Sequence, residues 1–71
     1  MGNVDLICRL HRGVNTKLRE NPDLLVGAAY MMVIQDIAPD IYNKCPEYVN
    51  CETDNNLIDP FLQWLYEYQE N

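Results

Sequence analysis

Four side chains carry whatever metal or thiol chemistry this sequence offers: Cys8, His11, Cys45 and Cys51. Cys8 and His11 stand at i and i+3, one turn apart on a helix, so a thiol and an imidazole could meet there. Together with Cys45 and Cys51 they make one Cys3His set with no ligand to spare. Zinc held by that set would tie the first helix to a later loop and compensate for a small core. The C-x5-C spacing of Cys45 and Cys51 is wider than the two to four intervening residues usual in such sites, so three ordinary buried or half-buried thiols are the plainer expectation. A Cys-His nucleophile would also need a pocket and an oxyanion site, which a chain of 71 residues seldom builds. There is no serine, which excludes a serine nucleophile, and His11 is the one histidine. The reading is therefore a protein that is not an enzyme, with no catalytic residue, no cofactor and no metal, in which His11 is packed or hydrogen-bonded at the margin of an apolar stripe. An odd number of cysteines argues against a disulfide framework, so reduced thiols are expected.

The elements that must position these groups read as helices. Val4, Ile7, Leu10, Val14 and Leu18 recur at spacings of three and four, with Asn3 as the cap and with Asp5, Arg9, Arg12, Thr16 and Arg19 on the opposite face. Gly13 interrupts this helix at a cost of about 1 kcal/mol relative to alanine, which marks a bend or a close contact. Asn21-Pro22-Asp23 predicts the start of a second helix, from a capping side chain, a proline at the first helical position and a carboxylate suited to the dipole. From Leu24 to Ile37 apolar residues fall on every face, so this should be the central, buried helix, with Gly27, Ala28 and Ala29 small enough to admit a neighbouring backbone. Pro39 stops or kinks it at Ala38. One or two turns follow over Asp40 to Cys45. Pro46 to Asn56 reads as a loop anchored by Tyr48 and Val49, with a single helical turn at most. The last helix runs from about Leu57 to Gln69 with Asp59-Pro60 as its cap and Leu57, Ile58, Phe61, Leu65 and Tyr68 as its inner stripe. Strand alternation persists nowhere. The expected fold is all-α: a single small domain over residues 1–71, a bundle of three main helices plus one or two short helical turns.

Such a bundle can surround only one helix, yet two are strongly apolar. The last helix adds Leu62, Trp64 and Tyr66 to its inner stripe, more than the second helix alone could cover. Domains this small bury only about 60% of their unfolded surface, so burial by association would help. Trp and Tyr remove much area from water with few rotors to freeze. Leu62, Trp64, Tyr66 and Tyr68 are therefore the expected contact residues for a homodimer seam or another protein. Met31 and Met32 suit core filling first and a compliant interface second.

Eleven acidic residues against five Lys and Arg give a net charge of −6. It is unevenly spread: residues 1–19 carry +3 and residues 20–71 carry −9. The summed field repels phosphate backbones and anionic membranes, so direct nucleic-acid binding is disfavoured, including phosphate capture by Arg9, Arg12 and Arg19. The longest apolar run, Leu24 to Ile34, falls short of the roughly 18 residues a span requires. No basic-then-apolar leader opens the sequence, and Leu6 stands where a myristoylation signal wants Ser or Thr; a cytoplasmic location is expected. The functional expectation is a non-enzymatic protein–protein interaction module, an acidic inhibitor or accessory subunit of the kind viruses and mobile elements direct at host enzymes, working as a homodimer. The alternatives are the zinc-stabilised domain and an acidic DNA mimic seated in the basic groove of a nucleic-acid enzyme.

Overall fold

Apolar residues repeat at helical spacing along the first segment, and in the computed structural model, which describes residues 4–68, that segment is helix α1, Val4–Glu20. Asp5 in its first turn and Lys17 and Arg19 in its last complement the helix dipole. The expected Asn3 cap lies outside the described residues. The buried stripe is Leu6, Leu10 and Val14, bordered by half-buried Ile7 and Leu18, whereas Val4 is exposed. Inclusion of Val4 in the stripe is thus corrected. The reason is Gly13, seven residues on from Leu6 and so on the same side, where a second helix crosses. A Cβ at Gly13 would lie only 2.6 Å from Val33 Cγ1. The glycine marks a close contact.

That second helix, α2, spans Val26–Ile37. It does not begin at Asn21-Pro22-Asp23. Asn21 turns back instead: its backbone N–H and its side-chain amide both donate to the Lys17 carbonyl, at 2.9 and 3.2 Å, closing α1. Leu24 N–H then donates to the Asn21 carbonyl at 3.0 Å, making a turn. Leu25 occupies the cap position in extended geometry with no side-chain bond. The cap comes from elsewhere in the chain: Asn55 Oδ1 accepts the Gly27 N–H at 2.9 Å. A long-range acceptor satisfies one of the free first-turn donors that local residues ordinarily serve.

α2 ends where Pro39 forbids helical geometry at Ala38 (φ −149°, ψ 68°), and Pro39 at once opens α3, Pro39–Lys44. Two short 3₁₀ turns follow, at Glu47–Val49 and Asn55–Leu57, where a single turn was expected; the second forms because Asp54 accepts the Asn56 N–H at its start. Asn50 and Asp54 order this loop by accepting from the backbone N–H two residues on, each at 2.9 Å. Val49 is buried as expected, but Tyr48 is 74% exposed and anchors nothing. Helix α4, Ile58–Glu67, starts ahead of the expected Asp59-Pro60 cap. Pro60 is tolerated as the third helical residue because its N–H would have no helical partner there. The helix ends at Glu67, short of the expected Gln69, because Tyr68 has already turned extended (φ −62°, ψ 129°); Gln69 itself lies outside the described residues.

The core is one cluster: the α1 stripe, five α2 residues (Ala29, Tyr30, Met31, Val33, Ile34), Ile41, Val49, Cys51, Phe61 and Leu65. The protein is all-α, with four helices and no strand among the described residues. α2 is central but not surrounded. Leu25 (50% exposed), Met32 (40%) and Val26 (37%) open onto solvent. Met31 fills the core and Met32 does not.

Candidate functional site

α4 carries the four expected contact residues, and its own geometry divides them. Phe61 and Leu65 point straight into the core with no exposure. At 100° per residue, Trp64 and Tyr68 lie on one side of that stripe, and Leu62 and Tyr66 on the other. On the first edge Phe61 stacks on Trp64 with centroids 6.2 Å apart, and Trp64 leans on Tyr68 at 5.4 Å. Trp64, Tyr68 and Leu62 are half-buried against the core. Tyr66 alone of the four projects, at 52% exposure. The sequence placed the four in one patch; folding sets them on two edges.

The thiols and the imidazole are dispersed. Cys8 is exposed on α1. His11 faces Tyr30 of α2, with Nδ1 3.1 Å from the phenol oxygen and the rings edge to face at 5.6 Å. The phenol donates when that nitrogen carries its lone pair. His11 is thus hydrogen-bonded at the margin of the stripe. Burial, and then the charges of Cys51 and Asp59, raise the Tyr30 phenol above its ordinary value, so it stays a donor at neutral pH. Cys45 is half-buried, its Sγ 3.6 Å from the Pro46 carbonyl, and burial raises its pKa.

Cys51 is fully buried, and its thiol donates to the Gly27 carbonyl at 3.5 Å. Burial, opposed by a backbone hydrogen bond and helped by Cys45, pushes it up to about 11. It is a protonated structural thiol, not a nucleophile. Gly27 is therefore clasped twice, by Asn55 at its N–H and by Cys51 at its carbonyl. A Cβ there would overlap the Cys51 carbonyl oxygen, so only glycine fits. The small residue was legible in the sequence; Asn55 and Cys51 as its partners were not.

Among the described residues no group of three or more His, Cys, Asp or Glu stands where it could hold a metal ion. The Cys3His reading is corrected accordingly: Cys8 faces solvent while Cys51 is enclosed beside Gly27. Open depressions among the described residues include the following pair. One lies at the α1–α2 turn, lined by Glu20, Asn21, Pro22, Asp23 and Leu24. The other is lined by Arg9 and Asp40 with Leu6, Ile37, Ala38, Pro39 and Ile41. Neither gathers a nucleophile with a base. No described helix is long and apolar enough to cross a membrane. In comparisons with known proteins, no family model, no curated protein and no solved structure matches this chain.

Proposed function

We propose that this protein is a non-enzymatic interaction module, an acidic cytoplasmic inhibitor or accessory subunit that acts by binding another protein and associates with its own copies. The observation that carries this reading is the projecting ring of Tyr66 beside half-buried Leu62, with Trp64 and Tyr68 on the opposite edge of the same short helix. Half-buried aromatics already fixed by ring contacts lose little further freedom on binding, which is why such residues dominate interface energetics. The net charge of −6 favours a partner face rimmed with Lys and Arg and disfavours direct contact with nucleic acid or an anionic membrane. Small size and acidity are also what suit it to inhibiting a host enzyme on behalf of a virus or mobile element.

The test is affinity capture from the native cell with the wild-type chain and with Tyr66→Ala and Trp64→Ala. The expected result is a captured protein that both variants lose while far-UV circular dichroism is unchanged. Tyr66 is exposed, so its variant reports on binding even if Trp64→Ala unfolds. Capture that Tyr66→Ala and Leu62→Ala leave intact would refute the assignment of α4. A captured nucleic-acid enzyme released steeply by salt, and indifferent to the α4 variants, would instead favour the DNA-mimic reading.

A further inference from the structure

We propose that Tyr48 is a phosphorylation site, whose phenol oxygen receives a phosphoryl group from ATP in the cleft of a protein tyrosine kinase. The proposal goes beyond the α4 reading and does not depend on it, since Tyr48 lies outside that helix.

The chain has five tyrosines, and the fold sorts them. Tyr30 is buried and hydrogen-bonded to His11. Tyr42 in α3 and Tyr68 at the end of α4 are half-buried. Tyr66 is 52% exposed but belongs to α4, whose backbone is committed to helical hydrogen bonds. Tyr48 is 74% exposed and sits in the 3₁₀ turn Glu47–Val49. Among the described residues its hydroxyl has no hydrogen-bond partner and its ring no ring partner.

The turn sets the direction of the ring. Val49 is seated in the core, and at about 120° per residue in a 3₁₀ turn the side chain before it cannot follow. The backbone on either side is already extended, as a kinase cleft requires of its substrate: Cys45 (φ −67°, ψ 121°) and Pro46 (φ −68°, ψ 152°) precede the turn and Asn50 (φ −76°, ψ 110°) follows it. Two backbone hydrogen bonds close the turn, from Val49 N–H to the Pro46 carbonyl at 3.2 Å and from Asn50 N–H to the Glu47 carbonyl at 3.1 Å. Presenting Tyr48 as an acceptor therefore unwinds no α-helix, whereas presenting Tyr66 would unwind α4.

The surroundings suit the basic substrate cleft of such an enzyme. Glu47 directly precedes Tyr48, and Glu52 and Asp54 follow, all three exposed. In the transfer, Tyr48 Oη attacks the γ-phosphorus of magnesium-bound ATP. An O–P bond forms while the bond from that phosphorus to the β,γ-bridging oxygen breaks. The departing ADP keeps the electron pair, and the phenol proton passes to the kinase's catalytic aspartate. The product gains about −1.5 to −2 of charge next to Glu47. Lys44 is the one cation in residues 20–71, so the phosphate is left as a ligand for an arginine-lined pocket on another protein.

Two measurements test the proposal. The folded full chain is incubated with ATP, Mg²⁺ and a purified non-receptor tyrosine kinase, and the modified positions are followed in time by peptide mass mapping. The same mapping is applied to the chain isolated from its native cell with phosphatase inhibitors present. The expected result is modification of Tyr48 at least about tenfold faster than of Tyr66, and phosphate on Tyr48 in the native material. Tyr48→Phe removes an unbonded, exposed hydroxyl, so it should keep the wild-type circular dichroism and lose the fast phase; the wild-type mapping stands without it. Modification of Tyr66 as fast as Tyr48 overturns the proposal. So does a fast phase that survives in Tyr48→Phe, or native chain with no phosphate on Tyr48.

Discussion

Replacing Gly27 with alanine reverses the effect that helix propensity alone would give. At an open helical site the substitution stabilises by about 1 kcal/mol, because alanine has less backbone freedom to lose. At Gly27 the new methyl would overlap the Cys51 carbonyl and stand 3.2 Å from Asn55 Oδ1. Neither neighbour is a flexible chain end, since one is backbone and the other is held by its bond to Gly27 N–H. The loop must move. Overpacking of this kind costs about 1–3 kcal/mol, and loss of the Asn55 bond about 1 more. After the propensity gain is set against these, the net destabilisation is about 2 kcal/mol, or a fall in Tm of about 8–16 °C for a chain this short.

Urea unfolding followed by Trp64 fluorescence and circular dichroism measures it. Asn55→Ala alone should cost about 1 kcal/mol, and the double variant less than the sum, because the methyl already breaks the bond that Asn55 makes. Gly13→Ala overpacks a second site: its methyl would lie 2.6 Å from Cγ1 of Val33, a buried β-branched side chain with little freedom to turn away, so it too should destabilise, by about 1–3 kcal/mol before the propensity gain. A Gly27→Ala protein as stable as wild type, or more stable, would refute the clasp.

Three raised acids set an alkaline limit to stability. Tyr30, Cys45 and Cys51 all hold their protons more tightly when folded, so their contribution is complete below the ordinary thiol and phenol values and is lost as pH rises through the folded ones, about 11 for Cys51. Urea midpoints should be flat from neutrality to about pH 9 and fall above it, and Cys51→Ala should shallow that fall. A midpoint that rises with alkali would contradict the assignment. Thiol reactivity should follow exposure. Ellman's reagent should modify Cys8 within the fast phase, Cys45 more slowly, and Cys51 only at the rate of unfolding. Fast labelling of Cys51 in native buffer would show that the loop is not closed over α2.

The helices were legible because their signals are local. Periodicity marked α1 and α4, and the ring geometry of Pro39 fixed the break after α2 whatever else packed nearby. Asn21 was misread because two helix ends compete for one side chain. An asparagine suits the start of a following helix and the close of a preceding one equally well, and only the position of the Lys17 carbonyl selects the second role. Asp59-Pro60 misled in a similar way, since proline fits any of the first helical positions. The count of excess apolar residues pointed to α4, where Trp64 shelters against Phe61 and Tyr68 against Trp64, while Leu25 and Met32 at α2 stand 50% and 40% exposed.

The sequence by itself determined the all-α class, the break at Pro39, the run of small residues Gly27, Ala28 and Ala29 and the segregation of charge between the first 19 residues and the rest. These depend on backbone geometry and composition, which neighbours along the chain settle. The tertiary structure decided which faces are covered, that Asn55 caps α2 from 28 residues away, and that Cys51 lies buried rather than beside Cys8 and His11. A hydrophobic period sets how wide a stripe is. What covers that stripe depends on contacts between residues far apart in the chain, and no local spacing encodes them.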